Sequence, residues 1–267
     1  MRPALRWIAL PVLVVIAAVL AVQLHRHGHT QGDDFALYLR QARSVFDGDI
    51  GAVIADNRLT VALSDPLMGP VGYPWVWPLV LSPFVHQWGL DYDRLKLVEV
   101  GAYCLWLVLF HGIVRRRIGR AAALAATAVF ATAPAYLAHT EQLLTEIPHL
   151  AAVAVFVWWY DRIRRDGTLL DAPIAQLVTL GGLVTLAFNV RRESVALLAV
   201  IAAMQLVDLA RSGRLVLDRD APRRIAERAR PLLTPYVAFA VSAAAFHVLL
   251  PTTLLPDNDN ALSYLDD

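Results

Sequence analysis

The stretch Leu97–Arg117 reads LVEVGAYCLWLVLFHGIVRRR, an apolar run that ends in three consecutive arginines. The run contains one acidic residue, Glu99, and is nearly as long as the roughly 20 residues that a helix needs to cross a bilayer core. Arginines directly beyond such a run are typical of the cytoplasmic end of a membrane helix. This stretch therefore predicts a transmembrane helix that leaves the membrane on its inner side.

Similar apolar runs recur along the chain of 267 residues, of which 57% are hydrophobic and 18% are charged. A soluble domain carries about 25% charged residues, so this composition excludes an ordinary soluble protein. We predict an all-α polytopic membrane protein with about seven transmembrane helices. The predicted spans are 5–24, 97–114, 121–137, 143–160, 174–190, 195–209 and 232–250.

The arginines indicate which side of the membrane each connection occupies. Arginine-rich segments begin the chain and fill 115–120, 162–165 and 211–230, which are alternate connections between the predicted spans. All of them lie inside the cell if the N-terminus is cytoplasmic. Residues 25–94 then form a long first outer loop. We interpret the first span as a retained anchor rather than a signal peptide, although its basic start fits both.

The composition also indicates where the membrane is. Lys96 is the single lysine among the 24 basic side chains, and alanine is abundant. This bias is typical of a high-GC bacterial genome, so we expect a multi-pass protein of the bacterial cytoplasmic membrane.

The outer loop contains two segments with helical character. From Asp33 to Phe46, apolar residues recur at helical spacing, with Asp33 as a candidate N-cap and Gly48 as a stop signal. The apolar residues of this predicted face are Phe35, Leu39, Ala42 and Phe46. The segment 71–94 is rich in tryptophan and proline, which favours a re-entrant or surface-lying helix at the interface. Both helices are expected to be amphipathic surface helices.

Two adjacent carboxylates, Asp33 and Asp34, stand at the start of the first loop helix in the sequence GDDFALYLRQA at 32–42. A carboxylate there caps exposed backbone amides and interacts favourably with the positive end of the helix dipole. One aspartate is enough for that role, so the second is available for acid–base chemistry. From the residues alone, capping and catalysis both remain open.

Two arginines, Arg191 and Arg192, depart from the inside pattern because they lie at an outer connection. They can pair with Glu193 or reach lipid headgroups, or their planar guanidinium groups can bind a phosphate. Glu146, at the outer start of the fourth span, is a candidate cap, surface carboxylate or substrate contact.

The sequence contains no phosphate-binding glycine loop and no zinc-ligand spacing. His25, His27 and His29 alternate in a polar tether after the first span, without a carboxylate partner in the pattern, and this is a poor metal site. We therefore name no metal-ligating residue.

Four motifs, in order along nearly the whole chain, resemble those of the GT-C glycosyltransferases, of the family 39 or RgtA-like kind. These polytopic enzymes use polyprenyl-phosphate sugars and include the protein O-mannosyltransferases. The first motif is the aspartate pair, where this chain has Asp-Asp and the family has Asp-Glu. The others are YPWVWPLVL at 73–81, in which Trp75 replaces a proline, TEQLLTEIPHL at 140–150, and NVRRESVALL at 189–198.

The resemblance implies a role for each motif. The superfamily's catalytic aspartate is followed by an aromatic residue four positions later and a small residue eight positions later. Tyr38 and Ala42 place Asp34 in that register, and Asp33 remains the alternative. Residues implied to bind the donor sugar or its lipid phosphate are Tyr38, Tyr73, Glu146, Arg191 and Arg192.

The resemblance also implies an activity and its partners. We expect an inverting transfer of a hexose or pentose from a polyprenyl-phosphate donor to a glycan, lipid or protein acceptor of the cell envelope, on the outer face. Membrane lipids are further partners, and a divalent cation is left open as a cofactor. We predict no nucleic-acid partner, because the basic inner loop serves orientation and lipid contact.

Residues 1–267 are expected to form one GT-C-like transmembrane domain, with the outer loop 25–94 inside it. The superfamily usually continues with more spans, so we expect the chain to be incomplete at its C-terminal end. A non-catalytic membrane subunit or an inactive fragment is therefore one alternative. A transporter is the other, and its sign would be ionisable residues near mid-bilayer, whereas charge here lies mainly near the span ends.

The predicted orientation can be tested with single cysteines at Asn57 and Ser212, each in a Cys104→Ala background. An impermeant thiol reagent applied to intact cells should label position 57, because the first loop is outside, and should not reach position 212. Permeabilised cells, in which both positions should react, are the control. Labelling of position 212 but not of position 57 would reverse the orientation and place Asp34 inside.

Overall fold

A computed structural model describes residues 5–29, 34–63, 73–212 and 222–250. Asp33, much of the basic inner loop and the tail from residue 251 lie outside the described residues. Within the described ranges the chain forms α-helices and one 3-10 helix, and no β-strand. The helices are α1 (Leu5–Leu24), α2 (Asp34–Asp47), α3 (Ile50–Leu63), α4 (Val76–Trp88), α5 (Tyr92–Ile118), α6 (Arg120–Thr132), α7 (Pro134–His139), α8 (Glu146–Asp166), α9 (Ile174–Phe188), the 3-10 helix Arg192–Val195, α10 (Ala196–Ser212) and α11 (Pro222–Leu249).

Among the described residues, three helical segments are long and apolar enough to cross a membrane. They are Tyr92–Ile118, Arg192–Ser212 and Ala229–Leu249. The apolar helices Ile8–Leu24, Arg120–Thr132 and Ile174–Phe188 are shorter. Large apolar side chains stay exposed on several helices, Val15 and Val248 among them, and such surfaces suit lipid better than water. The chain is therefore all-helical, with helices suited to a membrane.

The predicted span 121–137 is divided into two helices. Ala133 has an extended backbone, and Pro134 begins the short helix α7. Proline lacks the amide hydrogen that would continue the helical ladder, and it disfavours helical geometry in the residue before it. Proline therefore accounts for the break.

The first loop helix is present as α2, and Gly48 ends it with a φ of +78°. The predicted apolar face is partly wrong, because Phe46 is 51% exposed and stacks on His86, with 4.4 Å between ring centroids. Tyr38 is buried instead, because α4 covers that side of α2 and forms a shared cluster with it. The tertiary contact with α4 thus decides which side of α2 is buried.

The centre of the bundle is α5, which packs against α1, α6 and α8. Its Tyr103 donates a hydrogen bond to the Phe130 carbonyl oxygen at 2.8 Å, and Trp106 stacks on Tyr136. At the other end of the bundle, the buried carboxylate of Asp208 accepts hydrogen bonds from Arg164 and from the Leu169 amide. These contacts fix α8, α9 and α10 relative to one another.

A close helix crossing joins α9 to α11 at Gly181. A Cβ atom at this position would lie 2.2 Å from the carbonyl oxygen of Pro235 and 2.8 Å from the Cβ of Ala238. One turn further on, the hydroxyl oxygens of Thr185 and Ser242 are 2.6 Å apart. Glycine is therefore required sterically at position 181, while a Cβ at the neighbouring Gly182 would meet nothing within 4 Å.

The substitution Gly181→Ala should destabilise the protein by about 1–3 kcal/mol, because the new methyl group overpacks the crossing. The matched control Gly182→Ala should be neutral or stabilising by up to about 1 kcal/mol, since alanine has the higher helix propensity. Thermal unfolding of the purified protein in detergent measures both. Equal unfolding midpoints for the two variants would contradict the close crossing of α9 and α11.

Candidate functional site

A cavity of about 240 Å³ lies where four separate segments of the chain meet. The segments are the first turn of α2, the residues before α4, the N-terminal end of α8, and the connection from α9 to the 3-10 helix. The lining residues are Asp34, Tyr38, Tyr73, Pro74, Leu144, Thr145, Glu146, Val190, Arg191, Arg192 and Glu193. The six site residues proposed from the sequence that fall in the described ranges all line this one cavity, and Asp33 lies outside those ranges.

Asp34 is the first residue of α2, where the helix dipole favours a negative charge. Its Oδ1 accepts a hydrogen bond of 2.6 Å from the hydroxyl group of Tyr73. The backbone of Tyr73 is itself held, because Gln41 Nε2 donates to the Tyr73 carbonyl oxygen at 3.1 Å. The carboxylate of Asp34 is therefore oriented by a tyrosine that α2 also positions.

Two tyrosine rings form one wall of the cavity. The rings of Tyr38 and Tyr73 meet edge to face, with 4.7 Å between their centroids. Tyr38 is 4% exposed, and burial raises the pKa of Tyr38 to about 12, against a smaller opposing effect of a hydrogen bond with Thr145. The phenol of Tyr38 is consequently neutral at physiological pH, and it keeps its proton for hydrogen bonding.

An arginine between two carboxylates forms the opposite wall. The Arg191 guanidinium donates to Glu146 Oε1 at 2.7 Å and to Glu193 Oε1 at 3.2 Å. The side chains of Arg191 and Glu146 are each 35% exposed, so water screens this pair only partly. The ion pair links the start of α8 to the connection after α9, two segments 45 residues apart in sequence.

The segment before α4 is fixed to the end of α9. The Val76 amide donates to the Asn189 carbonyl oxygen at 3.0 Å, and the Asn189 side chain donates to the Thr185 carbonyl oxygen at 2.9 Å. Trp75 between them is fully buried. The two motifs that contribute Tyr73 and Arg191 are thus joined by backbone as well as by side chains.

Leu143, three residues before Glu146, has a positive φ of 51°, which is uncommon for a residue other than glycine. Its side chain is fully buried against Tyr38, Trp77 and other residues of the α2–α4 cluster. A residue held in this region of backbone space is typical of a functional site, where the surrounding packing imposes the conformation. The strain lies directly beside the cavity lining.

The histidine tether after α1 is attached on both sides. His29 stacks on Phe35 at 3.5 Å and donates from Nε2 to the Gln142 carbonyl oxygen at 2.7 Å. The expectation that the tether has no carboxylate partner is wrong, because His27 Nδ1 lies 3.0 Å from Asp93 Oδ2. Long-range folding, which sequence spacing does not reveal, supplies that partner. The tether holds the start of α2 against the loop before α8.

Sequence reasoning missed one carboxyl group near the cavity. Glu99 of α5 is fully buried, and neither of its carboxylate oxygens has a hydrogen-bond partner. It lies within electrostatic range of Glu146. Its one signal in the sequence is that it is the lone acidic residue of an apolar run, and such residues are functional candidates.

The charge of the cavity lining is mixed. Three carboxylates, from Asp34, Glu146 and Glu193, face two guanidinium groups, from Arg191 and Arg192, which leaves a formal charge of −1. Among the described residues, no group of three or more histidine, cysteine, aspartate or glutamate side chains is arranged to hold a metal ion. The lining is suited to a ligand that offers both hydrogen-bond donors and an anionic group.

Comparisons with protein-family models, with curated proteins and with solved structures found no match to this chain. The functional interpretation therefore depends on the geometry of the cavity and on the residues of the four motifs.

Proposed function

We propose that this protein is a membrane glycosyltransferase of the GT-C kind. It transfers a hexose or pentose, with inversion, from a polyprenyl-phosphate donor to a glycan, lipid or protein acceptor at the outer face of the cytoplasmic membrane. Asp34 is the general base, and the cavity between α2, α4, α8 and α9 is the active site.

One observation carries this proposal. The four motifs that resemble the superfamily lie far apart in the sequence, yet each contributes residues to the lining of one cavity. Motifs that matched by chance in a helical chain would have no reason to converge. The convergence favours a shared chemical task over four separate structural ones.

The chemistry assigns a task to Asp34. An acceptor hydroxyl attacks the anomeric carbon while its proton passes to the carboxylate, and the bond from that carbon to the phosphate oxygen breaks. Because the acceptor enters opposite the leaving phosphate, the configuration at the anomeric carbon inverts. Tyr73 holds Oδ1 of Asp34 at 2.6 Å, so that Oδ2 receives the proton.

The leaving polyprenyl phosphate carries the negative charge that develops in this step. Arg191 and Arg192 line the same cavity, and charge-assisted bonds from guanidinium groups stabilise a phosphate oxyanion. Arg191 is already balanced by Glu146 and Glu193, which hold its fork in place before the donor arrives. No described residues form a metal-binding cluster, so no step of this mechanism uses a cation.

Glu99 favours a second candidate function, transport across the membrane. A buried carboxyl without a hydrogen-bond partner, about two turns into an apolar helix, is typical of a proton or cation pathway. The convergence of the four motifs has no explanation in a transporter, and the cavity lies at helix ends rather than at helix centres. We therefore favour the transferase.

The substitution Asp34→Asn tests the proposed function, because it keeps the size of the side chain and most of its capping capacity but removes the proton acceptor. Transfer should fall about 10²-fold or more, while expression and membrane insertion stay intact. The assay uses a radiolabelled polyprenyl-phosphate sugar and membranes from a strain lacking the native copy.

A matched control is Asp47→Asn, at the other end of α2, where the carboxylate pairs with Arg43 away from the cavity. It should retain nearly full transfer. Asp33→Asn should cost less than Asp34→Asn if the register set by Tyr38 is right. Full activity in the Asp33→Asn/Asp34→Asn double variant would mean that the pair only caps a helix.

A further inference from the structure

The two carboxylate oxygens of Glu146 have different surroundings. Oε1 accepts the 2.7 Å hydrogen bond from Arg191, while Oε2 is buried and has no hydrogen-bond partner within the protein. Glu146 also lines the cavity. A buried carboxylate oxygen left without a donor is unfavourable, so a ligand that brings a hydroxyl or ammonium group to this atom would gain binding energy there.

The aromatic wall complements this acceptor. Tyr38 and Tyr73 present adjoining rings to the same cavity that Glu146 lines. A small-molecule site typically combines apolar or aromatic walls with a few fixed polar groups that set orientation. A sugar ring has both features, because its C–H faces pack against aromatic rings while its hydroxyl groups donate to carboxylates.

The charge around Glu146 limits which sugars fit. The lining carries a formal charge of −1, and Glu99 stands within electrostatic range of Glu146 with its own carboxyl buried. A sugar that carried a carboxylate would bring a further negative charge toward Oε2, where the low local dielectric strengthens repulsion. A neutral hydroxyl or a positively charged amine meets no such penalty.

We propose that Glu146 is a specificity-determining residue for the sugar of the donor. Its Oε2 accepts a hydrogen bond from a ring hydroxyl or ammonium group, and the site selects neutral or amino sugars against uronic acids. The inference rests on the proposed function, since it takes the sugar to be delivered on a polyprenyl phosphate. The volume of about 240 Å³ lies below the roughly 300–1,000 Å³ of drug-sized sites, and it suits a single sugar ring.

The test is equilibrium binding to the purified full chain in lipid nanodiscs. The probes are one short polyprenyl phosphate, unsubstituted or carrying glucose, glucosamine or glucuronic acid. We expect the glucosyl and glucosaminyl probes to bind at least about tenfold more tightly than the glucuronyl probe, which corresponds to one lost charge-compatible contact. Equal affinities of the wild-type protein for the glucosyl and glucuronyl probes would overturn the proposal.

Two variants assign the effect to Glu146. Glu146→Gln should reduce the glucosyl-to-glucuronyl ratio to within about threefold, because the charge that rejects the acid is gone. Glu141→Gln makes the same change five residues upstream and outside the cavity lining, and it should keep the wild-type ratio. An unchanged ratio in Glu146→Gln would remove Glu146 as the determinant.

A third variant covers loss of folding in Glu146→Gln. Glu146→Asp keeps the charge but withdraws the carboxylate by one methylene, so glucosyl binding should weaken about tenfold while the glucuronyl probe stays excluded. Wild-type glucosyl affinity in this variant would contradict the contact at Oε2.

The unsubstituted probe separates this inference from the proposed function. If polyprenyl phosphate binds but the sugars are not distinguished, the specificity inference fails and the proposed function stands. If no probe binds, including the unsubstituted one, both fail together.

Discussion

The ion pair between Arg191 and Glu146 is the contact on which the candidate site depends. It joins the first turn of α8 to the connection after α9, with 2.7 Å between Arg191 Nη1 and Glu146 Oε1. Without it, two carboxylates and a guanidinium group would stand close together with no fixed arrangement. With it, Glu146 has one oxygen committed and one left for a ligand, and Arg191 is held in position beside Arg192. The cavity and its charge pattern follow from this pair.

The pair has its effect because the surrounding backbone is fixed independently. The Val76 amide joins the start of α4 to the end of α9, and Gln41 of α2 holds the carbonyl of Tyr73. Leu143 is held at positive φ by its burial, which sets the direction in which the chain enters α8. Three rigid segments thus meet the ion pair, and preorganisation of this kind is what catalysis by positioning requires. It also explains why all the lining residues come from helix ends and loops rather than from helix centres.

Sequence reasoning predicted the local features well, because they depend on short-range spacing. The helical spacing after Asp33 and the stop at Gly48 predicted α2, and the composition predicted an all-helical chain with apolar helices. Pairing across long distances in sequence was not predictable from spacing. Glu193, two residues from Arg191, was the expected partner, yet the shorter bond goes to Glu146, 45 residues away.

Other differences have the same origin. Phe46 fits the apolar period of α2 but is exposed, because α4 covers a different side of that helix. The helix α3 was not expected, since its hydrophobic pattern has no clear helical face. Glu99 stood in plain view as the lone acidic residue of an apolar run, but only the packing around α5 reveals that its carboxyl is fully buried beside Glu146. Local pattern therefore predicts the elements, and tertiary contact decides which side chains share a site.

The most direct measurement of the central claim is an electron cryomicroscopy structure of the protein in nanodiscs with a bound polyprenyl phosphate. The convergence of the four motifs predicts that the phosphate lies in contact with Arg191 or Arg192, in the cavity that Asp34 lines, with the Tyr73–Asp34 hydrogen bond in place. A phosphate bound elsewhere on the protein, or Asp34 on the opposite side of the membrane from Arg191, would contradict the assignment of this cavity as the active site.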